Sequence, residues 1–140
     1  MRSKTPLALM EQLAMVLVFA LAAAVCLQVF VLADQISRTC EARDRAVVAA
    51  QSAAETLKGY HGDYERAARS FGGTLDEQQW RLNYDENWQR TEGDAAYCMT
   101  VTPADSGQTL LGAADVAVCD QDGDVLFELS VAWQEVDGHA

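Results

Sequence analysis

The N-terminal part of the chain contains an unbroken apolar run that limits what the chain can fold into. From Leu13 to Ala33 there are 21 residues, and Gln28 is the only polar one. An α-helix rises about 1.5 Å per residue, so this run is about 30 Å long and matches the hydrocarbon core of a bilayer. The small domain that remains cannot bury such a helix on every side. We therefore predict a transmembrane helix at residues 7–33.

The charges that flank this run predict its orientation. Arg2 and Lys4 precede it, the first acidic residue is Glu11, and Asp34 follows directly. Because basic flanks tend to stay on the cytoplasmic side, we expect a cytoplasmic N-terminus and an extracytoplasmic C-terminal domain at the cell membrane. A carboxylate at the head of a membrane helix is costly, unless a partner neutralises it or it lies in the headgroup layer. Both explanations of Glu11 stay open from the residues alone.

The residues around Glu11 carry a resemblance to a known family. Residues 4–13, KTPLALMEQL, resemble the start of type IV prepilins and pseudopilins. That family has a short basic leader ending in glycine, then apolar residues, a glutamate and a long apolar helix. The resemblance implies a leader at residues 1–6, cleavage before Leu7 by a prepilin peptidase, and pairing of Glu11 with the N-terminal amine of a neighbouring subunit.

Pro6 departs from this family pattern because it occupies the place of the leader's glycine. Proline lacks a backbone N–H and has a fixed φ angle, so cleavage between Pro6 and Leu7 depends on whether the peptidase accepts it. Without cleavage the chain stays a single-pass anchor. Another alternative is signal-peptidase cleavage after Ala33, although the apolar run is longer than the usual signal-peptide core of about 7–15 residues.

The helix is predicted to continue beyond the membrane through residues 34–58. This segment contains no glycine and no proline, and Gly59 and Gly62 then end it. Small apolar residues recur at helical spacing and define an alanine stripe, which consists of Ala42, Ala46, Ala49, Ala50, Ala53 and Leu57. A narrow apolar face of this kind packs against another element of structure.

The helical and strand patterns of residues 59–136 predict a small α+β extracytoplasmic domain, and residues 137–140 are predicted to be a tail. A short helix is expected at residues 63–71. Residues with strand alternation follow at 77–84, 95–102, 111–119 and 125–134. We also expect Trp88 to begin a short return strand. Together these segments predict an antiparallel meander whose apolar face packs on the long helix, and hence a pilin-like α+β fold.

The four cysteines, Cys26, Cys40, Cys98 and Cys119, allow three full pairings that the sequence cannot distinguish. A disulfide is plausible only between Cys98 and Cys119, which alternation places on the more polar face of the sheet, in a compartment that permits disulfides. The predicted register argues against it. A loop at residues 103–110 places Cys98 nearer to Val116 than to Cys119, so the sulfurs miss unless the loop is longer or bulged.

Composition and motifs favour a structural role over catalysis. The net charge of −11 disfavours nucleic acid as a partner, because phosphates repel an acidic surface. The acidic turn at residues 120–124 does not match an EF-hand, because Val125 stands where the motif has its glycine and Val131 where it has its twelfth-position carboxylate. The cysteine spacings do not fit a zinc site. No catalytic pair or phosphate-binding loop is recognisable, so we expect no enzyme activity, cofactor or metal. The three tryptophans are better explained as packing residues than as a binding patch.

The predicted function is that of a structural, membrane-anchored pilin-like or pseudopilin-like subunit of a type IV filament or a type II secretion-like system. Such subunits reside in membrane lipid and assemble with copies of themselves or related subunits by bundling their apolar helices. Ala20 and Ala24 would let neighbouring backbones approach closely, and Glu11 would set the axial register. The alternative is an uncleaved single-pass anchor that carries an extracytoplasmic binding or interaction module.

Overall fold

The computed structural model describes residues 4–135, so Arg2 of the predicted leader and the predicted tail at 137–140 lie outside the described residues. The elements, in chain order, are α1 (Thr5–Gly59), α2 (Tyr64–Phe71), β1 (Thr74–Asp76), β2 (Gln79–Tyr84), β3 (Tyr97–Ala104), β4 (Leu111–Asp120) and β5 (Val125–Gln134). The chain divides into a first unit that ends at Cys40 and a second unit that begins at Glu41. The predicted fold class is confirmed, since a long N-terminal helix packs on an antiparallel sheet to give an α+β arrangement.

α1 is a continuous helix because no glycine or proline interrupts it between Pro6 and Gly59. Pro6 lies in the first helical turn, where a missing N–H breaks no helical hydrogen bond. At the other end, Gly62 has a φ of 82° and its N–H donates to the carbonyl oxygen of Leu57 over 3.0 Å. This contact closes the last turn, as glycine commonly does at helix ends.

The sheet is an antiparallel meander with the strand order β1-β2-β3-β4-β5, as the sequence predicted. β1 was not anticipated, because we expected the first strand to open at residue 77. Thr74 instead pairs with Arg81, and Glu77 adopts a φ of 53° in the turn between the two strands. All three residues of β1 are exposed, so it has no alternation of buried and exposed positions that a sequence pattern could reveal.

The core of the second unit lies between the alanine stripe of α1 and one face of the sheet, the core face. The helical side chains in it are Ala46, Ala50, Ala53, Ala54 and Leu57, and the sheet contributes chiefly Trp80, Leu82, Met99, Val101, Val116 and Val118. The helix contributes mainly small side chains to this core, and the large residues of the strands fill the space between helix and sheet. The predicted role of the stripe is confirmed, and Ala54 is an additional member.

The prediction that Trp88 begins a short return strand is wrong. Trp88 has a φ of 59° and lies in a turn that the Asp85 side chain holds. One carboxylate oxygen of Asp85 accepts hydrogen bonds from the backbone N–H groups of Asn87 and Gln89, over 2.8 and 2.9 Å. An aspartate that bonds the backbone a few residues ahead favours a turn over an extended strand. The Trp88 ring stacks on Tyr97, with ring centroids 4.2 Å apart.

The predicted register of β3 and β4 is also wrong. We placed Pro103 in the loop, but β3 continues through Pro103 to Ala104, and Ala104 pairs with Ala113. The pairing of β2 with β3 ends at Val101, so Pro103 has a partner strand on one side only, where a proline is tolerated. The loop is shifted towards the C-terminus, and Cys98 lies opposite Cys119 rather than near Val116.

A bulge in the β4–β5 ladder moves Val125 away from the core face, on which alternation along 125–134 predicts it. The register shifts between Val118, which pairs with Phe127, and Cys119, which pairs with Val125. The extra residue places Val125 with Cys119 on the face opposite the core, the outer face of the sheet, where Val125 is 54% exposed. The other apolar residues that alternation along 125–134 places on the same face as Val125 do pack against the core; they are Phe127, Leu129, Val131 and Trp133.

Candidate functional site

The first candidate site is the exposed apolar surface of α1. Every described residue from Lys4 to Cys40 is exposed, including large side chains such as Leu7 at 70% and Phe19 at 75%. Within the described residues this helix is the one candidate for a membrane span, because it is long enough and apolar enough to cross a bilayer. Apolar surface on this scale is normally covered by lipid or by other protein. The surface is therefore compatible with a single transmembrane helix.

Glu11 is an exposed carboxylate near the start of this surface, and none of the ion pairs found between described residues includes it. Leu7 lies four residues earlier, so the two residues share one face of α1 and are separated by about one helical turn. A cationic group near the first turn could therefore neutralise Glu11 without any rearrangement of the helix.

The predicted processing site lies at the start of α1. Pro6 and Leu7 are in the first helical turn, and the N–H of Ala8 donates to the carbonyl oxygen of Lys4 over 3.2 Å. A peptidase that reaches the Pro6–Leu7 bond must open this turn. Pro6 adds little resistance to opening, because it donates no hydrogen bond of its own.

Ala20 and Ala24, the predicted helix-packing residues, are four residues apart and therefore lie on the same face of α1. Gln28 lies four residues further along the same face. The sequence analysis did not assign Gln28 to helix packing. The signal was available, since Gln28 is the one polar side chain in the apolar run and its spacing from Ala24 is helical. Small residues allow close backbone approach, and a glutamine amide can donate to and accept from a neighbouring helix. We call Ala20, Ala24 and Gln28 the small-polar face.

The second unit has a groove between the C-terminal part of α1 and the turn after β2. Its apolar floor includes Val48, which is 62% exposed, together with Phe71 and Trp88. Arg90 lies over the Phe71 ring, 4.5 Å from its centroid, which is within the range of a cation–π contact. The opposite rim is formed by helical charged residues such as Asp44. An apolar floor with a charged rim can hold a short peptide or a helix.

Tyr84 connects this groove to the core. Burial raises the pKa of its phenol, and the nearby Arg90 guanidinium partly opposes that shift. The Tyr84 ring also lies 5.7 Å from that of Trp88. This aromatic contact joins the Trp88 side of the groove to the core.

The outer face of the sheet is polar and contains the two sheet cysteines. Ser130 donates to the carboxylate of Asp115 over 2.6 Å, across the β4–β5 pair. Cys98 and Cys119 are half-buried, and neither thiol is bonded to another. Burial raises the pKa of the Cys98 thiol, while the Arg81 guanidinium lowers it and the adjacent Cys119 raises it further. The two thiols are therefore close enough to influence each other.

The acidic turn that invited comparison with a calcium loop uses its first carboxylate internally. Asp120 accepts hydrogen bonds from the backbone N–H groups of Asp122 and Asp124, over 2.9 and 3.0 Å. Among residues 4–135 there is no group of three or more histidine, cysteine or acidic side chains placed to hold a metal ion. The geometry is that of a carboxylate-stabilised hairpin turn.

Comparison with known proteins leaves the functional argument to the chain's own residues. No family model, no curated protein and no solved structure matches this chain. The fold and the candidate sites define an α+β protein in which residues 4–135 contain one candidate membrane span, near the N-terminus.

Proposed function

We propose that this protein is a membrane-anchored structural subunit, pilin-like or pseudopilin-like, that assembles with copies of itself or with related subunits through α1. The observation that carries the proposal is the composition of this helix. The same α1 holds an exposed apolar segment with Glu11 at its head and the alanine stripe on which the sheet packs. A helix of this kind can carry a folded domain and also act as the assembly element.

In this proposal, neutralisation of the Glu11 charge determines the axial offset between neighbouring α1 helices. Cleavage before Leu7 would create a new amine at the head of the apolar segment. A carboxylate in or near the hydrocarbon region is stabilised when a cation pairs with it. The amine of one subunit would pair with Glu11 of the next, so only one axial offset between neighbouring helices would satisfy both groups.

Close packing of the helices is supported by the small-polar face. Ala20 and Ala24 remove side-chain bulk along one line of α1, and Gln28 adds a hydrogen-bonding group on the same line. Helices in lipid associate through such contacts, because apolar side chains gain little by leaving lipid for another apolar surface. The opposite face, which includes Ala22, would remain in contact with lipid.

The flanking charges support the orientation, with the N-terminus cytoplasmic and the sheet domain extracytoplasmic. The partners are then membrane lipid, other pilin-like subunits of a type IV filament or type II secretion-like system, and a prepilin peptidase. The net charge of −11 gives no support to nucleic acid as a partner. The proposed role is structural, without catalysis or a cofactor.

A cross-linking experiment tests the assembly face. All four cysteines are replaced by serine, and a single cysteine is then introduced in the membrane-embedded full-length chain, either as Ala24→Cys or as the matched control Ala22→Cys. The two positions lie about 200° apart around the helix. We expect oxidation to give covalent dimers with Ala24→Cys at several times the yield obtained with Ala22→Cys. Equal yields would contradict the assignment of this face.

The second candidate is an uncleaved single-pass anchor with an extracytoplasmic interaction module. The groove with Val48 and Trp88 favours it, since Val48 is 62% exposed and leaves apolar surface of the groove uncovered. Pro6 favours it as well, because it stands where the family has glycine. This candidate predicts that the Ala24→Cys chain stays monomeric while the sheet domain still folds.

A further inference from the structure

β3 and β4 bring two cysteines into direct opposition. Cys98 pairs with Cys119, and the neighbouring pair Met99–Val118 points into the core. Opposed residues on antiparallel strands have side chains on the same face and Cα atoms about 4.5–5.5 Å apart. Disulfides bridge Cα separations of about 4.4–6.8 Å. The register therefore allows the two sulfurs to bond without a change in strand pairing.

The surroundings of the pair leave it accessible but partly shielded. Both cysteines are half-buried on the outer face of the sheet. Asn83 lies opposite Cys98 on the β2 side, and Val125 lies opposite Cys119 on the β5 side. The electrostatic influence of Cys119 on the Cys98 thiol is a second indication that the sulfurs are close.

We propose that Cys98 and Cys119 are a redox-active pair that forms a disulfide across the β3–β4 hairpin. The oxidant is a disulfide compound, such as glutathione disulfide or a disulfide-bearing protein. The thiolate of Cys119 attacks one sulfur of the oxidant, whose S–S bond breaks and releases a first thiolate. The thiolate of Cys98 then attacks the Cys119 sulfur, forms the Sγ–Sγ bond and expels the second thiolate. Two electrons pass to the oxidant, and the two cysteine protons end on its two thiols.

The disulfide would close a covalent loop around the hairpin that joins β3 to β4, near the middle of the sheet. Such a cross-link restricts the unfolded chain and stabilises the folded one. For a closed loop of this size we expect the midpoint of thermal unfolding to rise by on the order of 10 °C. The geometry behind the proposal lies entirely within β3 and β4, so the proposal holds whether or not the chain assembles into filaments.

The test uses the full-length, detergent-extracted Cys26→Ser/Cys40→Ser variant, in which Cys98 and Cys119 are the remaining thiols. The reduced protein is treated with glutathione disulfide and its intact mass is measured. Cleavage before aspartate then separates the two cysteines, because Asp105 and Asp115 lie between them. Cleavage after lysine and arginine would leave both in one peptide, since neither residue type occurs after Arg90.

We expect the intact mass to fall by that of two hydrogen atoms and the two cysteine peptides to be recovered as one cross-linked species. With Cys98→Ser or Cys119→Ser added, we expect one stable glutathione adduct instead, because the resolving thiol is missing. Recovery of two glutathione adducts per chain, or of dimers linked between chains, from the variant that keeps both cysteines would overturn the proposal.

Discussion

Trp133 of β5 lies directly opposite Gly112 of β4, and its indole ring fills the space that a side chain at position 112 would need. Gly62, in the turn after α1, meets the same ring. The indole is thus enclosed between a strand and a turn, and this contact connects the end of α1 to the edge of the sheet. Glycine is required at position 112 for space rather than for a special backbone angle.

Gly112→Ala should therefore destabilise the second unit. We expect a loss of about 1–3 kcal/mol in the free energy of unfolding, because the added methyl group forces the Trp133 ring or the strand to move. Chemical denaturation followed by tryptophan fluorescence measures the loss. Gly93→Ala is the matched control, since a Cβ there meets only an ordinary contact with Thr91 and should cost less than about 0.5 kcal/mol.

Ala50→Leu should disrupt the contact between α1 and the sheet. Ala50 is fully buried against the sheet, so a larger side chain would push the helix away, at a cost of about 1–3 kcal/mol. Val48→Leu is the control on the exposed side of the same helical turn and should change stability little. Equal effects of the two substitutions on the unfolding midpoint would contradict the packing of the alanine stripe.

Tyr64 should make the second unit sensitive to high pH. Burial, together with the charge of Asp115, raises the pKa of Tyr64 to about 12 from its ordinary value of 10.0. The folded state then keeps the phenol proton at pH values where the unfolded state loses it. Stability is therefore unaffected by this group below about pH 10 and falls as the pH rises from there towards 12.

Tyr64→Phe tests this prediction. The hydroxyl of Tyr64 is buried without a hydrogen-bond partner among the described residues, so its removal should leave stability near pH 7 almost unchanged. The variant should lose stability less steeply than the parent protein between pH 10 and 12. Unfolding midpoints recorded across that range compare the two, and parallel curves would rule out the proposed ionisation.

Gln28→Leu should weaken the association of α1 in lipid. Removal of one interhelical hydrogen bond costs about 0.6 kcal/mol on average, which corresponds to an approximately threefold weaker association. Phe30→Leu alters the opposite side of the helix and serves as the control. Energy transfer between labelled full-length chains in bilayers measures both variants. If the Gln28→Leu chain associated as strongly as the parent chain, Gln28 would make no hydrogen bond between neighbouring helices, which would contradict this prediction.

The sequence predicted those parts of the fold that depend on local periodicity. The long helix and its alanine stripe were recognisable because residues such as Ala46, Ala50 and Leu57 repeat at helical spacing. The meander was recognisable from alternation along β4 and most of β5. These signals are strong because one face of each element is buried while the other is exposed.

The features that sequence reasoning missed depend on contacts between segments. The Asp85 side chain determines the turn at Trp88, and the end of β2 determines whether Pro103 can remain in β3. The opposition of Cys98 and Cys119 follows from that change of register, so no pattern within either strand could show it. The groove beside Val48 likewise requires residues from α1, α2 and the turn after β2 to come together.

The most direct test of the proposed function is the N-terminal sequence and intact mass of the membrane-extracted protein, with and without a co-expressed prepilin peptidase. The Pro6→Gly variant, which restores the family pattern, is the positive control for cleavage. We predict a new terminus at Leu7 in the presence of the peptidase, because the assembly needs an amine that can neutralise Glu11. If the parent chain kept its original terminus while Pro6→Gly was cleaved, the protein would be a permanent anchor. A terminus at Asp34 would instead show a released domain, and either result would contradict the proposed filament subunit.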